Sequence, residues 1–336
     1  MALLTHPHLA PAVAVNQDHQ PRRVGVEIEF GELTIETAAD AVADALGSEL
    51  IKKTDYEYLA RHPELGDFKI EVDLSLLKRM GQTRLEADEE PGTFEQMSEE
   101  LLAAVARQWV PCEVITPPLR FEHMAMVDQI VGRLREVGAK GTTDALFYAF
   151  GVHFNPEVPS LKADCLLRYL RAFAVLYEWL RIELQVDTAR RLSPFIKPFP
   201  EPYVRLIIDP DYQPDIAGLI DNYLLHNPTR NRALDMLPVF AWIDRDRVTA
   251  VVKSQLVSAR PTFHYRLPNS QVGDPFWRIT DEWRYWLIVE GLANNPDKLD
   301  AICADYLLYL DRPLGEFFTD WADKVRQWLT GGATGR

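Results

Sequence analysis

Hydrophobic and polar positions alternate strictly through Val24-Gly25-Val26-Glu27-Ile28-Glu29-Phe30. In a strand this places Val24, Val26, Ile28 and Phe30 on one face and Glu27 and Glu29 on the other. The same pattern recurs over 68–74, and further strands are expected at 111–116, 148–154 and 261–267. Between them the spacing turns helical. Thr37 to Leu46 reads as a helix stopped by Gly47; Thr93 and Gln96 form a capping box ahead of the stripe Phe94, Met97, Leu101 and Val105; Val127, Ile130, Val131, Leu134 and Val137 mark a helix that ends at Gly138. Ser160 is expected to cap a long helix carrying Leu166, Leu170, Phe173, Tyr177 and Leu180. Residues 189–203, with four prolines and several basic side chains, read as a long ordered loop. Residues 215–225 read as helix, 227–235 as a turn leading into the apolar run 236–243, and the remainder after 267 as mostly helix. The pattern predicts an α+β fold, a largely antiparallel curved sheet with helices on one face and polar residues on the other. Residues 1–21, rich in Pro, His and Ala and without period, read as a flexible leader, and 22–330 as a single domain.

Composition narrows the function classes. The chain has 336 residues, 47% of them hydrophobic, enough for a substantial core. Lys plus Arg total 36 against 50 Asp plus Glu, a net charge of -14. That balance disfavours an extended nucleic-acid surface or an anionic membrane as partner. A small anionic ligand can still be held by a local arginine cluster. Cys112, Cys165 and Cys303 lie far apart without a C-x-x-C, so neither a zinc knuckle nor a disulfide framework is indicated. With no apolar h-region and no membrane-length apolar run, a cytoplasmic location is expected. Walker, G-x-G-x-x-G, H-E-x-x-H and G-x-S-x-G motifs are all missing from the sequence.

The candidate chemistry lies on the polar strand faces. Glu27 and Glu29 point the same way, one pleat apart, and repel unless they are solvated or share a cation. A lone Glu-x-Glu is also what a wetted strand face looks like, so its company decides. Gly151, His153 and Asn155 share one face of their strand, and His264 and Arg266 share one face of theirs. Glu113 stands between Cys112 and Val114 and has the alternative of a neighbouring arginine partner. Taken singly, each has a plain structural reading; together, carboxylates and imidazole on one sheet face are what a divalent cation requires. His6, His8 and His19 in the leader lack fixed partners and would bind metal weakly.

Four segments in this order, Gly25-Val26-Glu27-Ile28-Glu29-Phe30, Glu113-Val114-Ile115-Thr116-Pro117-Pro118-Leu119, Gly151-Val152-His153-Phe154-Asn155 and Tyr265-Arg266-Leu267, resemble the amidoligases of the glutamine synthetase-like carboxylate-amine ligase superfamily. The resemblance covers 24 to about 290. It implies a glutamine synthetase-like catalytic core and an ATP-dependent enzyme that joins a carboxylate to an amine through an acyl phosphate, with Mg2+, or Mn2+, as metal. Its substrates would be a small-molecule or peptide carboxylate and amine.

By that resemblance Glu27 and Glu29 are metal ligands, Glu113 completes the site near Glu29, and His153 lies at the nucleotide-side metal. Arg266 would neutralise the transferring γ-phosphoryl group, with Arg232 or Arg230 as a second phosphate arginine. Asp73 and Ser75 resemble an Asp-x-Ser element on the amine side, with Asp73 orienting the amine or accepting its proton; a strand-end turn is the other reading of Asp73. Asn155 is a further binding candidate. Lys197, in a basic loop, is either a phosphate-binding lid residue or part of a solvated surface. His264 departs from the family pattern, which has Glu there, and imidazole lowers the site's negative charge and favours a softer ion. The rival functions are a metal-dependent hydrolase and an inactive peptide- or partner-binding relative. Substrate identity, metal number and oligomeric state stay open.

Overall fold

The strand bearing Glu27 and Glu29 is β1 (Arg23–Phe30), and its alternate apolar side chains Val24, Val26, Ile28 and Phe30 are all fully buried. The computed structural model describes residues 9–72, 111–142, 150–186, 196–253, 257–312 and 320–330. Among these, β1 lies inside an open antiparallel sheet. The other strands of the sheet are β2 (Glu49–Lys52), β3 (Glu57–His62), β4 (Gly66–Val72), β5 (Cys112–Ile115), β7 (Val152–Pro156), β8 (Leu234–Asp235) and β9 (His264–Tyr265), in the order β2-β3-β4-β5-β1-β7-β9-β8. The short β6 (Leu119–Arg120) pairs with the start of β1.

Helices cover the apolar face. Helix α1 (Ile35–Leu46) lies on β2, β3 and β4; the Thr34 hydroxyl accepts from the Thr37 amide at its start, and Gly47 ends it at φ 59, a left-handed position that suits glycine. Helix α2 (Met124–Glu136) packs beside α1. Over β7 and β9 lie α3 (Ala163–Glu183) and α8 (Ile279–Ala293), through Tyr169 stacked on Phe263 with ring centroids 4.6 Å apart and Trp286 at 5.2 Å from Tyr265. Between α3 and α8 in the chain come α4 (Glu201–Ile208), α5 (Ile216–His226), α6 (Leu237–Ile243) and α7 (Arg245–Val251). The chain continues with α9 (Pro296–Leu310) and α10 (Asp320–Thr330). Among the described residues no helix is long and apolar enough to cross a membrane.

The α+β class, the antiparallel sheet and its helical cover agree with the sequence pattern. Several details differ. The β2–β3 hairpin is missed by the pattern, because charged residues interrupt the apolar alternation of both strands and β2 is a four-residue edge strand. Among the described residues strand β7 begins at Val152, after an isolated bridge at Gly151, while 148–149 of the expected strand lie outside them; the expected strand 261–267 pairs as a ladder only at His264 and Tyr265, with isolated bridges at Thr262 and Asn269. Ser160 does not cap α3. The helix starts at Ala163 with no side-chain cap, and the Ser160 hydroxyl instead accepts from the Lys162 amide at 3.2 Å and donates to Gln17 at 3.1 Å. Within the expected loop 189–203, Glu201 and Tyr203 already belong to α4. The capping-box helix at 93–105 lies outside the described residues.

Residues 9–21 are fastened to the sheet and helices. The Trp283 indole donates to the Leu9 carbonyl at 2.7 Å, and Asn16 donates to Glu157 at 2.9 Å. Arg22, fully buried, forms a two-pronged pair with Glu290 of α8 at 3.0 and 2.6 Å and donates to the carbonyls of Val13 and Glu157. Glu290 also accepts from the Tyr169 hydroxyl at 2.8 Å and the Trp286 indole at 3.0 Å. Removing one member of such a pair strands the other charge in a dry interior. Glu290→Gln should therefore lower unfolding stability by about 3–5 kcal/mol, and the double change Arg22→Met/Glu290→Leu by far less than the two single changes added. Urea unfolding of the three variants checks this; a single-variant loss under about 1 kcal/mol would mean that the pair is hydrated in solution.

Candidate functional site

Antiparallel register assembles the site. Across β1 and β7, Glu27 lies opposite His153 and Gly25 opposite Asn155; across β1 and β5, Glu29 lies opposite Glu113; across β5 and β4, Glu113 lies opposite Glu71. Facing residues of adjacent strands project from the same side of the sheet, so these polar groups converge. The short ladder between β8 and β9 brings Asp235 opposite His264, and β7–β9 pairing sets that pair beside His153.

Glu27 is at the centre. Its Oε2 lies 2.8 Å from Nδ1 of His153, and its Oε1 accepts from the Asn155 amide at 2.9 Å, with an Arg260 nitrogen 3.5 Å away. Nε2 of His264 is 3.8 Å from Glu27 Oε2. Glu29 Oε2 accepts from the Gly151 amide at 2.7 Å, and its Oε1 lies 3.8 Å from Nε2 of His153. A proton on His153 Nδ1 satisfies Glu27 and leaves the Nε2 lone pair facing Glu29. Two groups of potential ligands result, Glu27 with His153 and His264, and Glu29 with Glu113 and His153; in each, one ligand atom per residue lies within 4.8 Å of the others.

These side chains are not a wetted strand face. Glu29, His153, His264 and Asp235 are all buried, and the Glu27 side chain is 13% exposed. Burial alone would push the Glu27 carboxyl up; the hydrogen bond from His153 and the nearby Arg260 charge oppose it and hold the group well below the usual carboxylate range. For His264, burial and then the Arg266 charge drive the imidazole well below its ordinary value, so it is neutral at pH 7, the form that binds a metal. Burial raises Asp235 to about 6, against the opposing pull of Arg266 and of the Leu237 amide.

The donor set fits a divalent cation. Both ring nitrogens of His264 are buried with no hydrogen-bond partner among the described residues, and so is Oδ1 of Asn155 beside Glu27. A buried unpaired polar group costs about 1–3 kcal/mol, and a cation at Nε2 of His264 would remove that deficit. Mixed carboxylate and imidazole donors suit Mn2+ or a similar ion better than Mg2+, whose preference is for oxygen.

Arginines gather on the opposite flank. The Arg266 guanidinium donates to the Arg230 carbonyl at 2.9 Å, and Arg230 is itself lowered, first by burial and then by the like charge of Arg266. Arg232 is used differently: its guanidinium ties together Asn227, His226 and Pro198 through bonds of 2.7, 3.3 and 2.9 Å. Lys197 is exposed and bridges to Arg232 through the backbone. Among the described residues no hydrogen bond or ion pair joins either to the Glu27 cluster. Asp73 and Ser75 lie outside the described residues.

Sequence reasoning misses Asp235, Arg260 and Glu71. Asp235 carries a signal, a lone carboxylate inside the apolar stretch Ala233-Leu234-Asp235-Met236-Leu237. Arg260 carries none, being in an irregular segment. Glu71 sits in the alternating strand that the pattern identifies, where Lys69 holds it at 2.8 Å.

No curated protein matches the chain by sequence. Residues 20–288, a span that includes the whole sheet and every residue of the Glu27 cluster, match the protein family described as "Putative amidoligase enzyme". With most of its length matched in this way, and with its paired strand glutamates facing a histidine on the neighbouring strand, the chain belongs to the amidoligase family.

Proposed function

We propose that this amidoligase is an ATP-dependent carboxylate-amine ligase that activates its carboxylate as an acyl phosphate and resolves it with an amine. The observation that carries the reading is the division of one sheet face into a carboxylate-imidazole half and an arginine half. Transfer of a phosphoryl group needs positive charge around its equatorial oxygens and an aligned acceptor. Divalent cations bound by Glu27, Glu29, Glu113, His153 and His264 would supply part of that charge. Arg266 and Arg230, fixed beside each other by the hydrogen bond between them, would supply the remainder from the opposite flank. Asn155 holds Glu27 in place, and the Gly151 amide does the same for Glu29, so neither carboxylate is free to swing away. Asp73 is the proposed acceptor of the amine proton, with Ser75 on the amine side and Arg232 and Lys197 at the periphery of the phosphate site. A bare hydrolase would have less use for guanidinium groups beside its metal ligands.

Cation binding should appear as stability. At a free Mn2+ concentration 100 times its Kd, the protein should gain about 2.7 kcal/mol against unfolding. Glu29→Gln should lose most of this gain while keeping its circular dichroism, and an equal gain in wild type and variant would remove Glu29 from the site.

For the reaction, purified protein incubated with ATP, Mg2+ or Mn2+ and paired panels of carboxylates and amines should turn over ATP to ADP repeatedly only when cation and both organic substrates are present, with a product mass equal to the sum of the two substrates less water; cation and carboxylate alone should give at most one equivalent of ADP per site. Arg266→Ala should lose about 2–4 kcal/mol of transition-state stabilisation, read from kcat/KM. Sustained ADP turnover without an amine would favour a hydrolase, and a near-normal rate in the Arg266 variant would place phosphate elsewhere.

A further inference from the structure

His264 lies between two carboxylates. Its Nε2 is 3.8 Å from Glu27 Oε2, and its Nδ1 is 3.9 Å from Asp235 Oδ2. The distances exceed hydrogen-bond length, and Nδ1, Nε2 and Asp235 Oδ2 are all buried with no partner among the described residues. Asp235 is fully buried, and its other oxygen, Oδ1, accepts from the Leu237 amide at 2.9 Å. The carboxylate is thus held by one oxygen while the second faces the imidazole, across a β8–β9 pair in which Asp235 and His264 are directly opposite.

We propose that Asp235 is a positioning residue: it accepts a hydrogen bond from Nδ1–H of His264, so that the Nε2 lone pair faces Glu27 and His153 and receives the cation. The proposal rests on the cation-site reading given above. Its basis is that an imidazole offers a lone pair at one nitrogen only when the proton is kept at the other, and a buried carboxylate at Nδ1 fixes that choice and the ring's orientation. Both 3.8–3.9 Å separations lie about 1 Å outside bonding range, so a small movement of the ring toward Asp235 completes the contact and leaves room for an ion at Nε2.

The Leu237 amide makes the Asp235→Asn variant diagnostic. That N–H demands an acceptor, so the amide oxygen of Asn takes the place of Oδ1 and its NH2 group takes the place of Oδ2. The NH2 then donates to Nδ1 of His264 and forces the proton onto Nε2, where it blocks the ligand position. Shape and volume hardly change.

The test uses full-length protein labelled with 15N-histidine. Long-range 1H–15N spectra of the metal-free protein, with the His264 signals assigned by loss in His264→Gln, should show the Nδ1–H tautomer in wild type and the Nε2–H tautomer in Asp235→Asn. Mn2+ titration followed by electron paramagnetic resonance should give a 10- to 100-fold weaker Kd in Asp235→Asn. An Nε2–H tautomer in wild type, or an unchanged tautomer and Mn2+ affinity in the variant, would overturn the role of Asp235 while leaving the ligase reading intact. Failure of wild type to bind Mn2+ would instead strike the cation site and this proposal with it, an outcome separable from the first by the titration alone.

Discussion

Strand register is the constraint on which the site depends. Side chains alternate with period 2, so a slip of one residue between β1 and its neighbours would exchange the Glu27/Glu29 face for the Val26/Ile28 face. What forbids the slip is the opposite side of the same strand. Burying Val24, Val26, Ile28 and Phe30 is worth about 1.5–3 kcal/mol each, whereas placing like charges directly opposite, as with Glu29 and Glu113, costs only about 0.2–1 kcal/mol. Apolar packing against the helices therefore wins, and the carboxylates are forced together as its consequence. The chemistry of one face is held in place by the hydrophobicity of the other.

Order within the sheet then sorts the charge. Moving from β4 through β5 to β1, the polar face carries Glu71, Glu113, Glu29 and Glu27; β7 contributes the imidazole of His153 and the amide of Asn155; β9 and the segments beside it bring His264, Arg266, Arg230 and Arg260. An acidic strip and a basic strip thus lie on either side of an imidazole and an amide. A cation bridging to a phosphate has the same polarity, positive charge on carboxylates and negative charge on guanidinium groups. Asp235 is a carboxylate placed among the arginines, and burial raises it to about 6, above the usual range.

The sequence reveals those parts of this arrangement that rest on regular alternation. β1, β4, β5 and β7 are long enough, and buried enough on one face, for their pattern to assign each polar residue to a side. The β2–β3 hairpin is harder, since Glu49 and Lys52 are the charges the edge strand β2 needs against unwanted pairing, and with Glu57 and Arg61 of β3 they erase the apolar rhythm. Asp235 and Arg260 are harder still. A two-residue strand has no period, and an irregular segment reaches the site only through long-range pairing that composition does not encode. Arg232 illustrates the converse: its motif is visible, but whether a guanidinium meets phosphate or three local acceptors is decided by the path of the loop.

Two buried polar clusters, one on each side of the sheet, show how satisfaction separates architecture from chemistry. On the helical side, the charged groups of Arg22 and Glu290 are matched by each other, by two carbonyls, a hydroxyl and an indole, which leaves that cluster little to gain from any ligand. On the polar side, His264 and the facing oxygen of Asp235 are equally buried yet lack partners among the described residues. Every unmet group there raises the free energy of the folded chain by about 1–3 kcal/mol, and a better-packed apolar residue at position 264 would avoid it. An arrangement that leaves those groups unmet is one in which a bound ion recovers the loss, so that part of the affinity for the ion is already stored in the fold before it arrives. That storage is possible only because the apolar face of the sheet is stable enough to carry it.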